Sequence, residues 1–270
     1  LSERNFISKR NRKLKTKTPV LIDLDGVLRI GKEPAPHVEK FFELLTAHQI
    51  PACILSNSTL STSNDVRQFF EFNGIHTKIP ILTAVEAAAM YARLKYRRVA
   101  VYCTDHVKSL FRGLLDYDNP QAIIIGDYGK NWNFETLNYI FRKVKDGAEL
   151  IAMHKKRTWK TPEEGLLLDV GPFVVAIEYA TKKEATIIGK PSQHYFASAL
   201  SLFNLEVNDP FIMIGDDIET DIEASKNLGA ETIYVNSDKI FSQEAIEKAN
   251  PNFIVNDLNE VIEILKSKFI

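Results

Sequence analysis

The chain has 270 residues, 45% of them hydrophobic and 26% charged, with 34 Lys and Arg against 35 Asp and Glu. That composition belongs to a globular protein with room for two domains, and it excludes collagen-like, long disordered and disulfide-scaffold chains. No apolar run approaches the ~20 residues that would span a bilayer, and no apolar segment near the N-terminus could serve as a signal peptide, so a cytoplasmic location without a membrane partner is expected. The charge is uneven: residues 1–18 carry seven basic side chains against Glu3, a net +6, while the rest of the chain is −7. Residues 1–18 read as a basic solvated tail, with a trimmed organelle-targeting segment as the alternative. The tail is short and Phe6 is its one aromatic, so no nucleic-acid partner is expected. The chain opens on Leu1 rather than Met, which leaves an upstream start open.

In chain order, VLIDLDG reads as a buried strand ending in a glycine turn, and HVEKFFELLTAH repeats apolar residues at helical spacing. PACILS follows as a strand, STSNDVRQFFEFNG as a helix closed by Asn73-Gly74, and TAVEAAAMYARLKY as a further helix. RRVAVYC, QAIIIGD, AELIAM, ATIIGK, DPFIMIGDD, ETIYVN and FIVND are strand candidates, most of them separated by helical segments. This alternation predicts an α/β fold, a doubly wound and mostly parallel sheet covered on both faces. Cys53 and Cys103 sit inside apolar strand runs and read as small core hydrophobes.

Polar residues able to do chemistry collect where strands end: Asp23 and Asp25, Ser56 and Asn57, Lys190, then Asp216, Asp217 and Asp221. Open α/β sheets bind ligands at that edge. Two of these strands precede residue 60 and two follow residue 184, which predicts a core of residues 19–81 and 184–270 interrupted by an α/β insertion at 82–183. Gly26 allows the chain to turn so that Asp23 and Asp25 approach one point. An ionised Asp is a competent nucleophile toward phosphorus, and a neighbouring carboxylic acid can protonate the leaving oxygen. Crowded carboxylates call for a hard cation such as Mg2+, with Asp216 as a further ligand and Asp217 or Asp221 behind it. Lys190, Ser56 and Asn57 supply positive charge and hydrogen bonds for phosphoryl oxygens, and Pro191 would aim a helix N-terminus at the same anion. Each piece has a plainer reading; Asp216-Asp217, for instance, could simply N-cap the next helix.

DLDGVL, ILSNS, IGKPS and IGDDIETD, in that order, resemble the four signature motifs of the haloacid dehalogenase (HAD) superfamily. The insertion is similar to the C2-type cap of class IIA, the NagD-like and 4-nitrophenylphosphatase-like branch. Within it, QAIIIGD, GAELIAMHKKRTWK and GPFVVAIEYATKKEATIIGKPS resemble most closely the phospholysine phosphohistidine inorganic pyrophosphate phosphatase group. The resemblance implies a Rossmannoid phosphohydrolase core, with Asp23 as nucleophile and Asp25 as general acid/base whose backbone carbonyl ligates Mg2+. It further implies Ser56 and Lys190 on the transferring phosphoryl group, and Asp216 completing a metal site of Asp23, Asp25 and Asp216, supported by Asp221. Val27 and Ser56 stand where many members have Thr, and Ser keeps the hydroxyl.

In the cap, His154, Lys155, Lys156, Arg157, Trp159 and Lys160 concentrate cations and a flat ring where many class IIA members carry a neutral and acidic stretch. His154, Lys156, Arg157 and Trp159 are the expected specificity residues for an anionic substrate, against the plainer reading of a solvated basic loop. His106 and His194 lie outside the motifs and read as structural. The expected activity is Mg2+-dependent hydrolysis of a small phosphate ester or phosphoanhydride through an aspartyl-phosphate, under a mobile cap through which two copies could pair. A phosphotransferase and a catalytically silent phospho-ligand binder are the alternatives; a receiver-type signalling domain is disfavoured by the long insertion.

Overall fold

A computed structural model describes residues 17–161, 164–237 and 241–270. Most of the basic tail, and the side chain of Lys160, lie outside the described residues. Six strands form the core sheet: β1 (Val20–Asp23), β2 (Ala52–Ser56), β3 (Ile81–Thr83) and, after the insertion, β10 (Ile212–Gly215), β11 (Glu231–Val235) and β12 (Phe253–Val255). Their order is β12-β11-β10-β1-β2-β3, all parallel, with Val20 in register with Ile212 on one side and Ala52 on the other. A parallel sheet is buried on both faces, which is why VLID and ACIL read as continuous apolar runs. Alternate residues serve different layers. Val20, Ile22, Ile54 and Ile214 pack against the helices Val38–Ala47, Ser63–Phe72 and Leu258–Phe269, whereas Leu21, Cys53, Leu55 and Met213 face the opposite side. Burial pushes both thiols up to about 12, so Cys53 and Cys103 are inert core residues as their setting predicts.

Between β3 and β10 the chain builds a second parallel sheet from β4 (Val99–Tyr102), β5 (Ala122–Ile125), β6 (Glu149–Ala152) and β9 (Thr186–Ile187), in the order β9-β6-β5-β4. Between β6 and β9 an antiparallel hairpin, β7 (Thr158–Thr161) and β8 (Gly165–Leu168), leaves the sheet. The helix Ala84–Lys95 lies between the two sheets: Ala84, Val85, Ala87, Ala88, Ala89 and Ala92 are buried in one cluster with Leu21 and Leu55 of the core and Val101 and Ile151 of the cap. Small side chains along that helix let both sheets close onto it. A cap lifting as a rigid body would have to break this cluster, a constraint that the expected mobile lid did not anticipate.

The pairings also revise the seams. ATIIGK does not extend the core sheet as the sequence suggested: Thr186 and Ile187 pair with Ile151 and Ala152, while Ile81–Thr83, at the expected boundary, forms the edge of the core. Two-residue β9 is too short for its apolar character to reveal which sheet it joins.

Candidate active site

Asp23 ends β1 almost buried, 5% exposed, with Oδ1 accepting from the Leu24 N–H at 2.8 Å. The chain then turns sharply: Gly26 has φ +95°, and a Cβ there would stand 1.8 Å from Asp216 Oδ2. Only glycine lets the turn after Asp23 close onto the end of β10. Asp216 itself is fully buried and accepts from the Ser237 hydroxyl at 2.8 Å.

The next residues divide their duties. Asp217 N-caps the following segment by accepting from the Thr220 N–H at 3.0 Å, so the plain capping reading holds for Asp217 while Asp216 points into the site. That segment, Ile218–Glu223, is a π-helix in which both the Asp221 and Ile222 N–H groups reach the Asp217 carbonyl, at 3.0 and 3.2 Å. Widened turns of this kind recur at functional sites because they redirect a side chain without ending the helix. Here the turn accompanies a fully buried Asp221, which is also held by the Asp217 N–H at 3.2 Å. Among the described residues, carboxylate oxygens of Asp23, Asp216 and Asp221 lie within 4.8 Å of one another. Asp221, expected behind Asp216, thus lies in the same buried cluster.

Lys190 inserts its ammonium between two of these acids, 2.6 Å from Asp23 Oδ1 and 2.7 Å from Asp221 Oδ1, with 2% of the side chain exposed. Burial alone would lower the lysine pKa; the adjacent Asp221 and Asp23 charges reverse the shift and hold the amine firmly protonated. Ser56, at the end of β2, is fully buried, its Oγ accepting from the Ser58 N–H at 3.1 Å. The buried Tyr195 hydroxyl lies 2.7 Å from the Ser56 carbonyl oxygen and 2.8 Å from that of Leu82, bracing the ends of β2 and β3.

Three expected site residues are held by contacts that the sequence does not announce. The Asp25 carboxylate does not join the cluster: it pairs with Arg29 at 2.7 Å, 53% exposed, because the tight turn carries residue 25 to the outer side. The Asn57 amide does not face the anion site; both its ends are engaged by the Lys190 backbone. His154 is buried, 5% exposed, its Nδ1 accepting from the Lys156 N–H at 3.2 Å, so it is a packing residue of the cap rather than a surface contact. Burial first, and the Lys156 charge second, hold its pKa down to about 3, and the ring is neutral.

Two of the remaining basic residues meet the core. Lys156 lies 3.5 Å from Asp217 and Arg157 lies 3.3 Å from Glu219, on the same segment that supplies Asp216 and Asp221. Lys155 turns back to Glu178 within the cap at 2.6 Å. Trp159, 39% exposed, sits on β7 opposite Leu167. His106 and His194 are outside the cluster, His106 pairing with Asp65 of the core at 2.8 Å. Ser237, Tyr195 and Arg29 were not singled out by the sequence reading; each acts through a contact that no local motif announces.

Residues 20–114 match the haloacid dehalogenase-like hydrolase family and residues 187–261 a HAD-hydrolase-like family. Over 235 residues the chain is 33% identical to haloacid dehalogenase-like hydrolase domain-containing protein 2 of Bos taurus, covering 86% of this chain and 88% of the relative. The chain belongs to the haloacid dehalogenase-like hydrolase family. This HAD-like hydrolase is also 29% identical over 255 residues to the phospholysine phosphohistidine inorganic pyrophosphate phosphatase of Bos taurus, covering 91% and 93% of the two chains. Among solved structures, the p-nitrophenyl phosphatase from Archaeoglobus fulgidus superposes with a TM-score of 0.82 at 25% identity, over 92% of this chain and 99% of its own. The doubly wound fold, the HAD motifs and the class IIA resemblance of the insertion therefore extend along most of the HAD-like chain.

Proposed function

We propose that this hydrolase is a Mg2+-dependent phosphatase acting on a small phosphate ester or phosphoanhydride through an aspartyl-phosphate on Asp23. One observation carries the reading: a buried carboxylate at a strand end, held 2.6 Å from a buried ammonium and clustered with two further buried carboxylates. The donor set fits a hard divalent cation, since Asp23, Asp216 and Asp221 offer only oxygens, and these lie within 4.8 Å of one another. When bound, Mg2+ would relieve the repulsion among these carboxylates and withdraw charge from the phosphoryl oxygens.

The chain's own residues supply the rest. A carboxylate oxygen of Asp23 attacks phosphorus, the ester P–O bond breaks, and the leaving oxygen takes a proton from the Asp25 carboxyl group, which must first release Arg29. Water then attacks phosphorus, the bond between phosphorus and Asp23 breaks, and the water's proton passes to Asp25. Lys190 balances charge on the phosphoryl oxygens and Ser56 Oγ–H donates to one of them. Lys156 and Arg157, which meet Asp217 and Glu219, and Trp159 on the adjoining β7 would contact the part of the substrate beyond the phosphate.

Phosphate release from a panel beginning with p-nitrophenyl phosphate, in Mg2+ and in EDTA, tests the proposal. Wild type should turn over only with Mg2+, and Asp23→Asn should lose at least about 1,000-fold, as when a covalent nucleophile is removed. A folded wild-type protein that transfers phosphate to an added alcohol would favour a phosphotransferase. One that binds orthovanadate and cleaves nothing would favour a silent binder.

A further inference from the structure

Lys190 differs from the three acids around it in how the fold delivers it. Asp23, Asp216 and Asp221 follow β1 and β10 of the core sheet, but the strand before Lys190, β9, pairs in the cap sheet. The Ile188 and Gly189 N–H groups continue that attachment by donating to the Ala152 and Met153 carbonyls at 3.0 and 2.8 Å. A lysine tied to one sheet must therefore place its ammonium among carboxylates carried by another.

Asn57 bridges the two. Its Nδ2 donates to the Lys190 carbonyl at 2.8 Å and its Oδ1 accepts from the Lys190 N–H at 2.7 Å, so one side-chain amide pairs with one residue's backbone as two peptide groups would. The fit is close: a Cβ on Gly189 would lie 2.6 Å from Asn57 Oδ1 and 2.7 Å from the Met153 carbonyl oxygen. Asn57 directly follows Ser56, the last residue of β2, which is paired to β1. The Lys190 backbone is thus tied to the core through a side chain, Asn57, while its ammonium lies 3.4 Å from the Leu55 carbonyl of β2 and Tyr195, five residues on, reaches the Ser56 and Leu82 carbonyls.

We propose that Asn57 is a positioning residue that fixes Lys190 to the core, and that its side chain makes no contact with the phosphoryl group. This inference rests on the phosphatase reading above. The test is a double-mutant cycle of wild type, Asn57→Ala, Lys190→Met and the double variant, all with Mg2+ present. It reads kcat, KM and the dissociation constant of orthovanadate. Asn57→Ala should lower kcat about 10–100-fold, the usual loss when a buried orienting partner is removed, with KM changed less than about threefold. In the Lys190→Met background the same substitution should change vanadate affinity and residual rate by less than about twofold, because residues that act through one another do not add. Losses that multiply in the double variant would show Asn57 contacting the anion directly and overturn the proposal.

Hydrogen exchange on unmodified protein gives an answer that does not depend on a variant folding. The Lys190 amide should be protected like the amides of β1, and exchange at the rate of an open loop would refute the clamp. Absence of hydrolysis by wild type would sink the phosphatase reading alone; the exchange rate and the vanadate cycle would still decide the role of Asn57.

Discussion

Two sets of ion pairs lie near the same short segment and obey different physics. In the cage, Lys190 meets Asp23 and Asp221 at 2.6 and 2.7 Å, with none of the three side chains more than 7% exposed. Across the seam, Arg157–Glu219 stands at 3.3 Å with side chains 81% and 60% exposed, while Lys156–Asp217, at 3.5 Å, is intermediate at 29% and 14%. Buried partners have lost their water and depend on one another, whereas exposed partners keep theirs and are screened by salt. The cage is therefore a single unit that fails when one member is removed, and the Arg157–Glu219 pair can be retuned one residue at a time.

The sharpest break of that contrast is Lys190→Met, which leaves Asp23 and Asp221 buried beside each other. It should cost about 3–5 kcal/mol in urea unfolding without metal; a loss below about 1 kcal/mol would dissolve the distinction between cage and seam. Gly26→Ala comes next, at about 1–3 kcal/mol with loss of Mg2+-dependent turnover, because its Cβ would displace the Asp216 carboxylate as well as strain the turn. Gly31→Ala is the control, since that glycine also has positive φ but no heavy atom within 4 Å of the added Cβ. It should cost stability through the backbone and leave turnover intact.

His154 sharpens the comparison from inside the cap. Its folded pKa of about 3 lies below the ordinary 6.5, so the unfolded chain takes up the proton first. Stability should be unaffected above the ordinary value and fall as the pH drops below it, by about 1–2 kcal/mol near pH 5. Urea midpoints for His154→Phe should decline less steeply over that range; parallel slopes would show that the ring titrates freely. The smallest effect is expected at the seam. Glu219→Gln should shift stability by less than about 1 kcal/mol, and high salt should erase the difference in both melting and kcat/KM.

The anions of the cage were legible in the sequence because strand ends, glycine turns and carboxylates are local features. Asp23 and Asp216 were placed by the four strand-end motifs taken together, since DLDG or IGDD alone also reads as a turn or a helix cap. Asp221 was under-read because its position depends on a π-turn, and no apolar period distinguishes that turn from an ordinary helix. Asn57 was assigned to the anion instead of to Lys190 because the contact spans 133 residues and two sheets. Tyr195 was hidden in SQHYFASALSLF as one more member of an apolar face. The pair of strands Thr158–Thr161 and Gly165–Leu168 was missed for a different reason: its exposed Leu166 and Leu168 and its charged residues carry no clean alternation.

The order of strands in the core sheet has a consequence for synthesis. β1 lies between β2, which follows it closely, and β10, which is almost two hundred residues away in the chain. Asp23 is made early, yet the ammonium and the two acids that complete its surroundings emerge from the ribosome only after the whole cap. On the proposed mechanism, a nascent chain would carry Asp23 without the groups that make it reactive, and completion of the fold would switch reactivity on.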